Sequence, residues 1–281
     1  MTRIASVAVC VFALMGARAA TGASQESDQV PVFHRSYDQM LDVNVRDGLV
    51  YYRALRSDAR LDRYVASLNV PKTTYDGWSR DERLAFWLNG YNAIVLQTVV
   101  DNYPIRGKAA GFPANSIRQI PGAFEQRKHR LAGRTLTLDE IEKTVLPEFK
   151  DGRVYLALGR GAVGSGRLRS EAYVASKLEQ QLAGVRADFV NEQAMLRIDR
   201  LTGQMSVTPI LSWREAEFVA AFDPGAQGPF AQRSPIERAV IAFVSPHLLR
   251  LEREFVEKNA FPITFHQFDW RLNDLSGGRA D

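Results

Sequence analysis

SRDERLAFWLNGYNAIVLQTVVDNYP, residues 79–104, decides how the chain folds. Ser79 followed three residues later by Glu82 has the form of a capping box, in which each side chain satisfies the other's backbone N–H. Pro104 stops a helix, so one long helix is expected from Ser79 to about Tyr103. Phe86, Trp87, Leu88, Tyr91, Ile94, Val95, Leu96 and Val99 fall on nearly every side of it. A helix that is apolar all round belongs in a core. Asn89 and Asn92, three apart on one side, then need hydrogen-bond partners. Either they tie down the backbone of a neighbouring loop or they face a cavity, and the first reading is favoured.

Outward from this helix, helical spacing alternates with hairpin signals. Helices are expected over 36–46, after a Ser57 cap with Leu61, Tyr64, Val65 and Leu68 on one face, and over 172–191, 212–222 and 235–258. Thr137 with Glu140 caps a further short helix. A short strand is expected over 48–52, hairpins around Ala132-Gly133 and Leu201-Thr202-Gly203, and a last strand over 263–268. Val154–Leu158 reads as an apolar strand entering a glycine loop. Helices interleaved with hairpins, without a strict βαβ rhythm, imply an α+β fold. The expected architecture is a single domain with a buried central helix, β-hairpins and surrounding helices.

The chain has 281 residues, a formal net charge of +4 and one cysteine. Arg3, the mostly apolar run 4–15 and Ala17-Arg18-Ala19 have the layout of a secretory signal peptide over residues 1–19. Cleavage there would bring the net charge to about +2 and leave the protein periplasmic or secreted. Cys10 lies inside the apolar run, so the mature chain would be cysteine-free, without disulfides or thiolate catalysis. No second long apolar stretch follows, and no transmembrane segment is expected in the mature chain. Charges alternate in sign instead of forming a basic stripe, so no nucleic-acid partner is expected. Residues 20–33 are polar and small and read as a flexible lead-in to a domain over 34–274, with 275–281 as a tail.

LALGRGAVGSGRLRSEAY, residues 156–173, contains the spacing G-x-G-x-x-G. A dinucleotide site would need a helix to start among the glycines, and here the irregular stretch runs on to about Ser170. A P-loop would need lysine where Ser165 stands, and a G-x-S-x-G elbow does not fit either. The glycines are expected to serve a tight, closely packed turn. Arg160, Arg167 and Arg169, with no acid before Glu171, suggest an oxyanion-binding loop. The four histidines are dispersed, so neither a metal nor a cofactor is expected. His266 and Asp269 would lie on opposite faces of a strand. Asp139, Glu140 and Glu142 read as acids complementing a helix dipole.

FWLNGYNA, residues 86–93, closely resembles the FWINAYNA signature of the domain of unknown function 547 family. Arg153–Leu158 with its glycine loop, LRSEAY at 168–173, LSWREAEF at 211–218 and FDWRLN at 268–273 resemble further motifs of that family, in order. The likeness spans roughly 34–274. Members usually carry histidine where this chain has Tyr155, cysteines where it has Arg160 and Ser165, and Pro-Pro where it has Gly166-Arg167. The resemblance therefore implies a member that lacks its relatives' His and two Cys. We expect an exported protein that binds a small anionic or peptide ligand more readily than it acts as a thiol enzyme. Its candidate contacts are Asn89, Tyr91, Asn92, Arg160, Ser165, Arg167, Arg169, Asp269 and Asn273. A non-thiol hydrolase or transferase using Ser165 or a water, and a structural envelope protein, are the alternatives. A cavity lined by Asn89, Asn92, Arg160 and Asn273 would favour the ligand or enzyme readings, and a filled core there would favour the structural envelope protein. No residue is assigned as catalytic, and oligomeric state is left open.

Overall fold

The computed structural model of the protein describes residues 30–277. The signal peptide expected over 1–19 and most of the lead-in lie outside the described residues. Helix α1 (Val32–Asn44) buries Tyr37, Met40 and Leu41 and runs into a hairpin of β1 (Val45–Arg46) and β2 (Leu49–Val50). Short α2 (Tyr52–Leu55) precedes α3 (Ala59–Ser67), which buries Leu61 and Tyr64. The α3 cap is Asp58, not the expected Ser57, because the Asp58 carboxylate accepts the Arg60 amide at 3.0 Å. An ionised acceptor at that position also answers the helix dipole.

After α4 (Lys72–Asp76) comes α5 (Arg80–Val100), the expected central helix. Its capping box is closed: Ser79 Oγ accepts the Glu82 amide at 3.2 Å, and the Glu82 carboxylate accepts the Ser79 amide at 2.7 Å. Every residue from Leu84 to Leu96 is buried, so the helix has no wet face. α2, α3 and the turns at Leu146–Phe149 and Ala175–Lys177 pack around it. Full burial of each large apolar side chain stabilises the fold by roughly 1.5–3 kcal/mol, and α5 supplies many of them.

Strands β3 (His129–Leu131) and β4 (Arg134–Leu136) form the expected hairpin. The Thr137–Glu140 capping box then opens α6 (Leu138–Glu140), which continues as a π-helical turn, Ile141–Val145. The apolar run expected as a strand at Val154–Leu158 is instead a 3₁₀ helix, Gly152–Leu156, capped by Asp151 on the Arg153 amide. A short buried apolar run has no polar alternation, so periodicity could not separate strand from helix. α7 (Leu178–Asn191) starts six residues later than the expected Ala172. Ala172, Tyr173 and Val174 instead donate their amides to Asp38, Asn89 and Gln181.

β5 (Leu196–Asp199) and β6 (Gln204–Val207) are antiparallel, and β7 (Ile263–Phe265) joins β6 in parallel. The helix expected over 212–222 is two pieces, α8 (Ile210–Trp213) and α9 (Glu215–Phe222), broken at the non-helical backbone of Arg214. That expected over 235–258 is also broken: α10 (Pro235–Val244) ends in the turn Ser245–His247, and α11 (Arg250–Glu257) follows. Pro246 sits in the break, where it has no amide to continue the ladder. The fold is thus α+β in one domain, with small sheets set among the helices around α5. Among the described residues no helix is long and apolar enough to cross a membrane.

Candidate functional site

The glycine loop is built against α5. Asn92 Oδ1 accepts the Gly159 amide at 2.8 Å, and its Nδ2 donates to the Ala157 carbonyl at 3.2 Å. Three residues earlier, Asn89 accepts the Tyr173 amide and donates to the Tyr173 carbonyl, both at 2.8 Å. The two asparagines therefore hold the loop's entrance and exit, and the expected cavity shared by Asn89, Asn92, Arg160 and Asn273 is not formed: that part of the core is filled. Gly161 has φ +65°, and a Cβ on Gly166 would lie 1.6 Å from the Leu156 carbonyl oxygen. The glycines serve close packing, as expected.

A cleft of about 280 Å³ opens beside this loop. α6 supplies Asp139, the π-helical turn Glu142 and Lys143, and the loop Arg160. Trp213 and Arg214 come from the α8–α9 break, Trp270 from the C-terminal segment, and Arg118, Phe124 and Glu125 from the stretch before β3. Trp213 and Trp270 lie nearly parallel, 16° apart with ring centroids at 6.3 Å. Arg118 sits within cation–π distance of Phe112, Phe124 and Trp270.

The floor of the cleft is a buried charge cluster. Arg160 Nη2 donates to Glu142 Oε2 at 2.7 Å and Nη1 to the Tyr155 carbonyl at 3.1 Å. Tyr91 donates its hydroxyl to Glu142 Oε1 at 2.5 Å. Arg214 Nη2 stands 3.6 Å from Glu142 Oε2, with its guanidinium 5.2 Å from the Tyr155 ring centroid. Burial alone would push the Glu142 carboxyl up, but Arg160, the Tyr91 hydrogen bond and Arg214 together hold it below the usual carboxylate range. Burial, reinforced by the Glu142 carboxylate, keeps the Tyr91 hydroxyl protonated far above its ordinary value. Glu142 is thus an anion at neutral pH, accepting hydrogen bonds from two side chains and facing a third, Arg214, at ion-pair distance.

The expected contact residues scatter over this geometry. Arg160 reaches the cleft floor directly and Tyr91 supports it through Glu142. Ser165 and Asn273 line a separate recess of about 110 Å³ with Arg167. Ser165 Oγ accepts the Arg160 amide at 2.9 Å. Asn273 accepts from the Tyr52 hydroxyl and donates to the Gly48 carbonyl. Asp269 pairs with Arg271, and His266 bonds the Ala194 carbonyl. The arginine-rich loop proposed for an oxyanion is corrected on every member: Arg160 pairs with Glu142, Arg167 with Asp47 and Asp188, and Arg169 with Glu171. For Arg160 and Arg167 the acids come from other elements, and for Arg169 from Glu171 at the end of the same stretch. The dipole reading of Glu142 is corrected too, since its carboxylate is inside the protein on an arginine. Sequence reasoning also missed Arg118, Lys143 and Phe124. Trp213, Arg214 and Trp270 did lie within quoted motifs, though none was singled out. Among the described residues no cluster of three or more His, Cys, Asp or Glu is placed to hold a metal ion.

Residues 75–190 match the family model described as Protein of unknown function, DUF547. That stretch, somewhat less than half of the chain, is similar to the DUF547 family. No match to a curated protein or to a solved structure is found. The matched stretch contains α5, the π-helical turn, the glycine loop and most of α7, and with them Tyr91, Glu142 and Arg160. Trp213, Arg214 and Trp270 reach the same cleft from outside it.

Proposed function

We propose that this protein is exported and binds a small anionic or peptide ligand in the cleft between the π-helical turn, the glycine loop and the two tryptophans. One observation carries the reading: residues from four separate motif stretches converge there. Tyr91, Arg160, Trp213 with Arg214, and Trp270 are far apart in the chain, yet the cleft and its floor gather them. Arg160 occupies a position where the resemblance implies cysteine, and Tyr155, beneath Arg214, one where it implies histidine. Concave sites with aromatic walls and a few convergent polar groups are the usual form of small-molecule sites. Serine chemistry finds less support, because Ser165 Oγ is engaged by a backbone amide and lines the other recess.

Export rests on the layout of Arg3, the apolar run and Ala17-Arg18-Ala19. N-terminal sequencing of protein made in its natural host should begin at Ala20, and an intact Met1 would refute export. Native mass spectrometry of the same preparation should show a retained small molecule that is lost on mild denaturation. A bare protein mass, with no small molecule shifting Trp213 or Trp270 signals in a solution screen, would refute the ligand reading.

A further inference from the structure

We propose that Arg214 is the anchor for a singly charged organic anion, a carboxylate, whose apolar body lies along Trp213 and Trp270. This rests on the reading of the cleft as a ligand site. The cleft carries four cations, Arg118, Lys143, Arg160 and Arg214, and three acids, Glu125, Asp139 and Glu142. Three cations have an acid of their own: Arg118 pairs with Glu125, Lys143 with Asp139 at 2.5 Å, and Arg160 with Glu142 at 2.7 Å. Arg214 has only a share of Glu142 at 3.6 Å, beyond hydrogen-bond length, while Arg160 already holds that oxygen. Glu215 and Glu217, which follow it in α9, do not line the cleft. One positive charge is left over.

The geometry of that charge suits a forked acceptor. Arg214 Nε is buried and has no hydrogen-bond partner, although its side chain is 14% exposed and lines the cleft. A buried donor without an acceptor is uncommon and is satisfied when a ligand supplies one. The Tyr155 ring under the guanidinium fixes its position, and the break between α8 and α9 removes Arg214 from helical backbone. A carboxylate can bridge two N–H groups of a guanidinium in parallel. Arg118 Nε also lacks a partner, but its charge is matched by Glu125 and its guanidinium is covered by three aromatic rings. Next to Arg214, Trp213 is 46% exposed, an unusual position for so large an apolar surface unless something else covers it. A carboxylate is favoured over a phosphate dianion because only one charge is unmatched. The second charge would face Asp139 and Glu142.

The test is titration of the cysteine-free mature chain with phenylacetate, phenylacetamide and phenyl phosphate at pH 7, read by calorimetry and by the indole NMR signals of Trp213 and Trp270. Phenylacetate should bind at least about tenfold more tightly than phenylacetamide, the loss expected when a bidentate charged hydrogen bond is removed. Arg214→Gln should bring the acid down to the affinity of the amide. Arg214→Lys, which keeps the charge but not the fork, should recover only part of it. Acid and amide binding equally, with the indole signals shifting, would overturn the anion anchor and leave the ligand site standing. Phenyl phosphate binding more tightly than phenylacetate would overturn the carboxylate assignment. No shift of either indole with any probe would overturn both. The comparison of acid with amide on the unsubstituted protein needs no variant to fold.

Discussion

Glu142 and Arg160 form an ion pair whose side chains are 8% and 3% exposed, so each is sustained almost wholly by the other and by its hydrogen bonds. Removing one member leaves an uncompensated buried charge, which typically costs about 3–5 kcal/mol. Arg160→Ala and Glu142→Gln should therefore both lower the melting temperature steeply at pH 7, as calorimetry would show. The sign of the pH effect follows from the direction of the shift. Glu142 is held below its ordinary value, so its contribution is complete above the unfolded glutamate value and is lost as pH falls through the lower folded one. The gap in melting temperature between wild type and Glu142→Gln should thus narrow only in strong acid. His34 acts over a different range. Burial pushes it from 6.5 down to about 4, and its Nδ1 lies 2.8 Å from the Tyr64 hydroxyl. It stays neutral when folded while the unfolded chain protonates, so its contribution is full above about pH 6.5 and is lost as pH drops towards 4. His34→Gln should flatten the stability profile in that interval, by at most about 3 kcal/mol. An unchanged slope between pH 6.5 and 4 would show that His34 is solvated.

α5 and the glycine loop behave as one element joined by asparagine. Asn92→Ala removes two bonds and strands the Gly159 amide and the Ala157 carbonyl, a loss of roughly 1–3 kcal/mol for each buried group left unpaired. The loop then loses its register on the helix, so Asn92→Ala should also alter the packing around Arg160. Gly166→Ala is the more severe change, because the added methyl meets a backbone oxygen that no side-chain rotation can move aside. It should destabilise the fold by on the order of 3 kcal/mol or more, and denaturant titration showing wild-type stability would contradict this packing. These effects explain how much of the element was legible. The Ser79–Glu82 box, the all-round apolar pattern and Pro104 are local signals, and they place α5 to within three residues of its observed end at Val100. Val154–Leu158 carried no such signal: a buried run with an Asp151 cap folds as 3₁₀ or strand according to what packs on it. The pairing of Asn89 and Asn92 with loop backbone was the favoured reading, but which loop atoms they meet required the fold.

Across the whole molecule, stability should grade outward from α5. Its amides and the loop backbone tied to it are covered on all sides, whereas α11 buries only Val256 and β7 is largely exposed. Hydrogen exchange followed by mass spectrometry should find peptides within 84–100 slowest to exchange and those within 249–266 markedly faster, since well-packed elements open only with the global transition. Fast exchange through α5 would mean that the helix is not the core. The same scale explains why the cleft escaped a reading of residues in order. Arg160 and Arg167 looked unmatched because their acids, Glu142 for the first and Asp47 with Asp188 for the second, lie elsewhere in the chain, and Arg214, which is the unmatched one, has acids close to it in sequence. By itself the sequence determined the α+β class, the buried central helix, the hairpins and the absence of any thiol beyond Cys10, all of which follow from spacing, capping and composition. Only the tertiary structure decided which charges are cancelled and where a cleft remains. Periodicity specifies which face of an element is buried, but the partner of a charge is whatever the packing of distant elements brings within a few ångströms of it.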